Sequence, residues 1–308
     1  MLRDFPLGGS LRSALVTGAP AGEVPVRHAA TVMLVRPAGA GLEVFTFRRV
    51  PALAFAAGML VFPGGAVDPR DADPELPWAG PGPAAFGAAL SADESLARAV
   101  VAAAVRETFE ECGVLLAGPL GPPGLPGPPG HAGPAGGGLC AEPLVDDPVW
   151  ERRRHALIAG ELTLSGLLRD AGMVLRADLL KPWAHWLTPR GEPRRFDTRF
   201  FVAALPPGQQ ARDVGGEGEL AGWISPADAL ARHGAGELPM LPPTLVALEE
   251  LDAAGSLPRL FDTPRRPRPV SPWAVQDGSD PDGRPRHVLR IDLDGLGGGE
   301  PGPGQGDR

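Results

Sequence analysis

Between Ser91 and Gly113 the chain carries both a start and a stop signal for one helix. Ser91-Ala-Asp-Glu94 fits a capping box, in which serine caps a backbone N–H and glutamate reaches back to the cap residue. Gly113 suits the left-handed turn that ends a helix. Leu96, Val100, Val105, Phe109 and Cys112 give this segment an apolar surface, so it needs a core to pack against. Composition limits what surrounds that core. Glycine (43) and proline (38) make up about a quarter of the 308 residues, yet 43% of the chain is apolar. The expectation is a folded body interrupted by Pro/Gly-rich segments.

Ala29–Arg36 and Glu43–Arg48 read as strands around the hairpin-like break Pro37–Gly41. Gly58–Gly65 is a short apolar run ending in a sharp turn, and residues 68–90 read as irregular. Asp147–Leu168 reads as helical. Strands are expected at Ala184–Leu187, Phe196–Ala203 and Gly222–Ile224, helices at Pro226–Ala231 and Pro243–Ala254, and an edge strand at Val288–Leu293. Such a mixture points to an α/β or α+β domain. Glycine recurs at every third position from 118 to 136, the collagen period. So short a run between folded segments reads as an inserted loop, not a triple helix.

The 37 acidic residues outnumber the 29 basic ones, giving a dispersed net charge of −8. That argues against electrostatic nucleic-acid binding. Two cysteines, Cys112 and Cys140, make neither a disulfide scaffold nor a four-ligand zinc site. The apolar stretch Val50–Val67 is broken by Pro51 and Pro63, so no membrane span is expected there. A soluble cytoplasmic protein with no membrane partner is the expectation.

On the helix, Glu107, Glu110 and Glu111 stand at i, i+3 and i+4, placing three carboxylates on one face. They repel one another unless cations compensate. A hard divalent ion such as Mg²⁺ takes such oxygen ligands; an ordinary solvated acidic face has the same spacing. Arg195, Asp197 and Arg199 alternate on one face of an expected strand, as an internal ion network or as substrate-facing groups. His28, His155, His185 and His287 have neither metal-ligand spacing nor a neighbouring nucleophile pattern.

The run Arg106-Glu107-Thr108-Phe109-Glu110-Glu111-Cys112-Gly113-Val114 resembles the second half of the Nudix box, with Thr108 at a usually aliphatic position. Phe62-Pro-Gly-Gly65 resembles its first half, and Asp71 stands where the family has a glutamate six residues after the glycine. Arg106 follows Gly65 by 41 residues, which implies an insertion of about 27 within the motif. Val61–Gly65, Trp186–Phe201 and Leu241–Leu245 further resemble the coenzyme A diphosphatase branch of the Nudix hydrolases.

This resemblance spans about residues 28–255 and implies an α+β Nudix fold, an α/β/α sandwich around a mixed β-sheet. Pro/Gly-rich insertions would lie at about 72–90 and 116–146, with an N-terminal extension over 1–27 and a Pro/Gly-rich tail over 256–308. It implies Mg²⁺ or Mn²⁺ on Glu107, Glu110 and Glu111, with Arg106 orienting a glutamate. Gly64 and Gly65 would permit close backbone approach, and Glu217 or Glu219 would serve as ligand or general base. Arg48 or Arg49, at the end of Val44-Phe-Thr-Phe-Arg48, would bind a phosphate or else stand solvated at a strand end. The implied activity is hydrolysis of coenzyme A or acyl-coenzyme A to adenosine 3′,5′-bisphosphate and (acyl-)4′-phosphopantetheine. NADH or ADP-ribose as substrate, or a non-catalytic nucleotide sensor, are the alternatives. A small-molecule nucleotide is the expected partner, and a homodimer the assembly common among such relatives.

Overall fold

The strands foreseen at either side of Pro37–Gly41 pair as an antiparallel hairpin, Val26–Ala38 (β2) with Gly41–Arg49 (β3), after a short N-terminal strand, Leu2–Pro6 (β1). The computed structural model describes residues 1–7, 24–39, 41–49, 58–119, 147–214, 218–279 and 285–295. The Gly-triplet run lies almost wholly outside them. Two short strands follow the hairpin: Leu60–Val61 (β4) on β3, and Gly64–Ala66 (β5) on β2.

Residues 68–90 are more ordered than their composition suggests. Pro69–Ala72 is a 3₁₀ turn, Trp78–Ala79 a short strand (β6), and Pro83–Leu90 a helix (α1). Proline at the first helical position pre-sets the backbone there, and Phe86 and Leu90, four apart, bury one face.

The long helix α2 spans Glu94–Cys112. Its cap is Asp93, whose carboxylate accepts from the Leu96 amide at 2.8 Å. Ser91 is not the cap: at φ 53° it forms the left-handed turn that ends α1. Both residue types are strong caps, and the end of the preceding helix decides between them. The stop at Gly113 is as expected, with φ 71° and its N–H donating to Phe109 O.

Ala117–Pro119 forms β7. The single helix expected over 147–168 is two, Pro148–Ile158 (α3) and Leu164–Asp170 (α4). Gly160, at φ 72°, breaks it, and the Thr163 hydroxyl re-caps the chain by accepting from Gly166 N at 3.0 Å. Then come β8 (Met173–Arg176), β9 (Lys181–Leu187), β10 (Arg195–Ala204) and β11 (Gly218–Ile224). Three helices follow, α5 (Pro226–Gly234), α6 (Pro242–Ala254) and α7 (Leu257–Asp262). The described chain closes with β12 (Pro269–Val270), β13 (Trp273–Ser279) and β14 (Pro285–Asp292).

The central sheet has the order β11-β3-β2-β10-β9-β12, with β4 and β5 joining β3 and β2. Parallel pairing of β10 with β2 and of β12 with β9 makes it mixed. Alternation along its strands feeds two cores. Ala30, Val32, Leu34, Phe201 and Ala203 face α1–α4, whereas Met33, Val35, Phe200 and Val202 face α5–α7. This is the α/β/α sandwich around a mixed sheet. Ala102, Ala103 and Ala104 are fully buried, and such small side chains bring α2 close to the sheet.

Residues read as N-terminal extension and C-terminal tail meet in a second sheet of order β1-β14-β13, in which Leu2–Pro6 pairs antiparallel with Val288–Asp292. Phe5, Leu289 and Ile291 pack there against the α5–α7 core. A third small sheet has the order β6-β8-β7. No described helix is long and apolar enough to cross a membrane.

Candidate active site

Helix α2 lays its last turns over β5, the strand that follows Phe62-Pro63. The contact is very close at both glycines. Gly64 has φ 154°, and a Cβ there would stand 2.7 Å from Thr31 Cα and collide with Ala30 O. A Cβ on Gly65 would stand 2.6 Å from Glu107 Oε2. The bare backbone is thus what admits the helix carboxylates, and the Gly64 N–H donates to Glu111 Oε2 at 2.8 Å.

Arg106 ties the rest together. Its Nη1 donates to Glu107 Oε1 at 2.8 Å and to Glu110 Oε2 at 3.1 Å. Its Nε and Nη2 make a forked pair with Asp71 at 3.0 Å each, and Nη2 also reaches Ala66 O at 2.9 Å. Asp71 is buried and is held in the 3₁₀ turn, where its Oδ2 accepts from Asp68 N at 2.8 Å. Six residues beyond Gly65, Asp71 therefore meets an arginine 35 residues further on. The interrupted motif closes in space, and the inserted segment passes outside it. Burial opposes the Arg106 charge, but Asp71 and the two glutamates hold its pKa above the usual range.

Burial pushes the Glu110 carboxyl up to about 7; the Arg106 charge pulls it down, and the Glu107 carboxylate adds to the rise. Thr108, at the position where an aliphatic residue is usual, is fully buried, and its hydroxyl donates to Ala104 O at 2.7 Å, one helical turn back. A cavity of about 150 Å³ opens beside this cluster, lined by Asp71, Arg106, Glu110, Leu157, Leu162 and Thr163. Its rim is fastened by Arg70 Nη1, which donates to Gly160 O at 2.8 Å in the α3–α4 turn.

Glu107, Glu110, Glu111, Arg106, Gly64 and Gly65 are thus brought together. Arg48 is not. Alternation along β3 turns it to the face opposite α2, where its Nε donates to Gly58 O at 3.4 Å. Glu217 lies outside the described residues, as does the side chain of Glu219. Arg195, Asp197 and Arg199 resolve in part into an internal ion pair, Arg199 Nη1 to Asp197 Oδ2 at 2.7 Å. Sequence reasoning missed that His28 and His185 join it. These contacts run between strands, so no spacing within the chain reveals them.

Among the described residues no group of three His, Cys, Asp or Glu side chains is closed into a metal cage. Arg106 stands among the carboxylates instead. The donor set itself fits a hard divalent ion: it is all oxygen, and Glu107 and Glu110 are each only 14% exposed. Burial first, and then the neighbouring Glu107 carboxylate, raise the Glu110 carboxyl, and a bound cation would favour its charged form.

The described fold is shared with a solved structure. The crystal structure of a NUDIX hydrolase from Alicyclobacillus acidocaldarius superposes with a TM-score of 0.60 at 29% identity, covering 76% of this chain and 95% of that one. With the arginine–glutamate motif docked on paired glycines, the fold defines a Nudix hydrolase. Among curated proteins, acyl-coenzyme A diphosphatase NUDT19 of Homo sapiens is 31% identical over 254 residues, 72% of this chain and 63% of the relative. The same-named protein of Gallus gallus is 33% identical over 165 residues, 50% of this chain and 40% of the relative. The chain therefore spans less than two thirds of either relative. The family model described as the NUDT19 Nudix domain matches residues 83–251, more than half of the chain, and the chain belongs to that family.

Proposed function

We propose that this protein hydrolyses the diphosphate linkage of a nucleoside diphosphate derivative, with coenzyme A or acyl-coenzyme A as the substrate. The products are adenosine 3′,5′-bisphosphate and (acyl-)4′-phosphopantetheine. The observation that carries the reading is the seating of Glu107 and Glu111 on Gly65 and Gly64, with Arg106 bridging to Glu110 and Asp71. The acyl-coenzyme A substrate rests on the activity named for the two curated relatives and on the resemblance of the stretches around Gly65, Trp186 and Leu241 to that branch.

Glu107, Glu110 and Glu111 would hold Mg²⁺ or Mn²⁺. Bound there, the ion supplies neutralisation of phosphate oxygens and an acidified water. The protein's own groups do the rest. The Gly64 amide fixes one oxygen of Glu111. Arg106, anchored by Asp71 and Ala66 O, sets the direction of the Glu107 and Glu110 carboxylates. Glu217 or Glu219 is the proposed source of a general base.

A product-resolved assay tests this reading. Purified protein with Mg²⁺ or Mn²⁺ is offered coenzyme A, acetyl-coenzyme A, NADH, ADP-ribose and nucleoside triphosphates. Release of adenosine 3′,5′-bisphosphate from the coenzyme A substrates, at rates well above those on the others, is the expected result. Preferential cleavage of NADH or ADP-ribose moves the substrate assignment and keeps the chemistry. No cleavage of any of them overturns both.

A further inference from the structure

The second cluster of titratable groups in the central sheet lies beside the first. On β10, Asp197 receives three neighbours. His185 Nε2 meets its Oδ1, Arg199 Nη1 meets its Oδ2 at 2.7 Å, and His28 Nδ1 stands 3.3 Å from the same oxygen. Arg199 Nη1 is also 3.1 Å from His28 Nδ1. Arg199 and His185 are buried and the Asp197 side chain is 17% exposed, whereas that of His28 is 41% exposed.

The register places this exposed end near the glutamates. Arg199 pairs with Ala30, and Ala30 with Gly65, so one row runs across three strands beneath Glu107. Asp197 pairs with His28 in the next row, and His28 O accepts from Val67 N at 2.9 Å. His28 shares the parity of Ala30 and Val32 and so faces α2. Strand spacings put its Cα about 8 Å from that of Gly65.

The buried His185 Nδ1 has no partner, so a neutral ring donating from Nε2 to Asp197 leaves only an acceptor unmet. Asp197 and Arg199 then balance in charge. With Nδ1 accepting from Arg199, the His28 ring carries its hydrogen on Nε2, the nitrogen that Asp197 and Arg199 do not engage.

Resting on the hydrolase reading above, we propose that His28 is a further substrate-contacting residue, presenting its Nε2–H to a phosphate oxygen of the nucleotide, with Asp197 and Arg199 as its positioning residues. The recognised chemistry is a phosphate group next to the glutamate-bound linkage. A lone surface histidine needs no such support; this one has a partly buried aspartate backed by a buried arginine and a buried histidine, on the site's own face.

Steady-state kinetics on His28→Ala and His28→Gln test this, with whichever of coenzyme A, NADH or ADP-ribose the wild type turns over. His28→Ala is expected to raise KM about tenfold or more with kcat within about threefold, the pattern of lost uniform binding. His28→Gln, whose amide N–H reaches a similar point, is expected to recover most of that loss. Asp197→Asn is expected to raise KM in the wild type and to add nothing further in a His28→Ala background. An unchanged KM in folded His28→Ala, or a loss that glutamine does not recover, overturns the inference and leaves the hydrolase reading standing. A wild type that turns over none of the three overturns both.

Discussion

Replacing Glu110 with glutamine is expected to lower turnover by about 10²–10⁴, the scale of losing a group needed in the transition state. The fold is expected to survive. Glutamine keeps the shape and can still accept from Arg106 Nη1, now 3.1 Å from Oε2. Stability without metal moves in the opposite sense to activity. The Glu110 carboxyl is raised from its ordinary 4.5 to about 7, first by burial. A raised folded pKa means this group's contribution is full below the unfolded value and is lost as pH rises through about 7. Metal-free wild type is therefore expected to melt progressively lower from pH 5 to pH 8, and Glu110→Gln to show a flatter profile and melt no lower at pH 8. Circular dichroism melts alongside steady-state assays check both. Near-wild-type turnover of the variant removes Glu110 from the mechanism.

The neighbouring glycines are expected to fail in different ways. In Gly64→Ala the added methyl meets backbone, Ala30 O and Thr31 Cα, at a φ of 154° that L-residues rarely adopt. Backbone of a central strand cannot give way cheaply. The expected loss is about 3 kcal/mol, read as a lower denaturant midpoint at unchanged slope. In Gly65→Ala the methyl meets the carboxylate of Glu107, the far end of a flexible side chain. That carboxylate swings aside and Arg106 loses a partner, so stability changes little while turnover falls by about 10² or more. A Gly65→Ala variant with full activity contradicts the placement of Glu107 at the reacting centre.

Much of this was legible in the chain, for identifiable reasons. The α2 stop at Gly113 and the three carboxylates on one face follow from local geometry, which sequence spacing encodes directly. Asp71 was placed by its distance from Gly65, although only the folded turn shows that it grips Arg106 across 35 residues. The start of α2 misled because Ser91 and Asp93 are both good caps, and the choice belongs to the end of α1. The break at Gly160 was hidden by apolar residues that continue on both sides of it. Pairing of Leu2–Pro6 with a strand nearly 290 residues away has no local signal, since antiparallel partners are chosen by the packed core. His28 and His185 likewise meet Asp197 only through register.

The most direct test of the proposed chemistry is a calorimetric titration of the wild type and of Glu110→Gln with Mn²⁺, without nucleotide. Saturable uptake by the wild type, weakened tenfold or more in the variant, is the expected result. Absence of uptake by the wild type, or equal affinity in the two proteins, would contradict the assignment of the α2 glutamates as the metal-holding face.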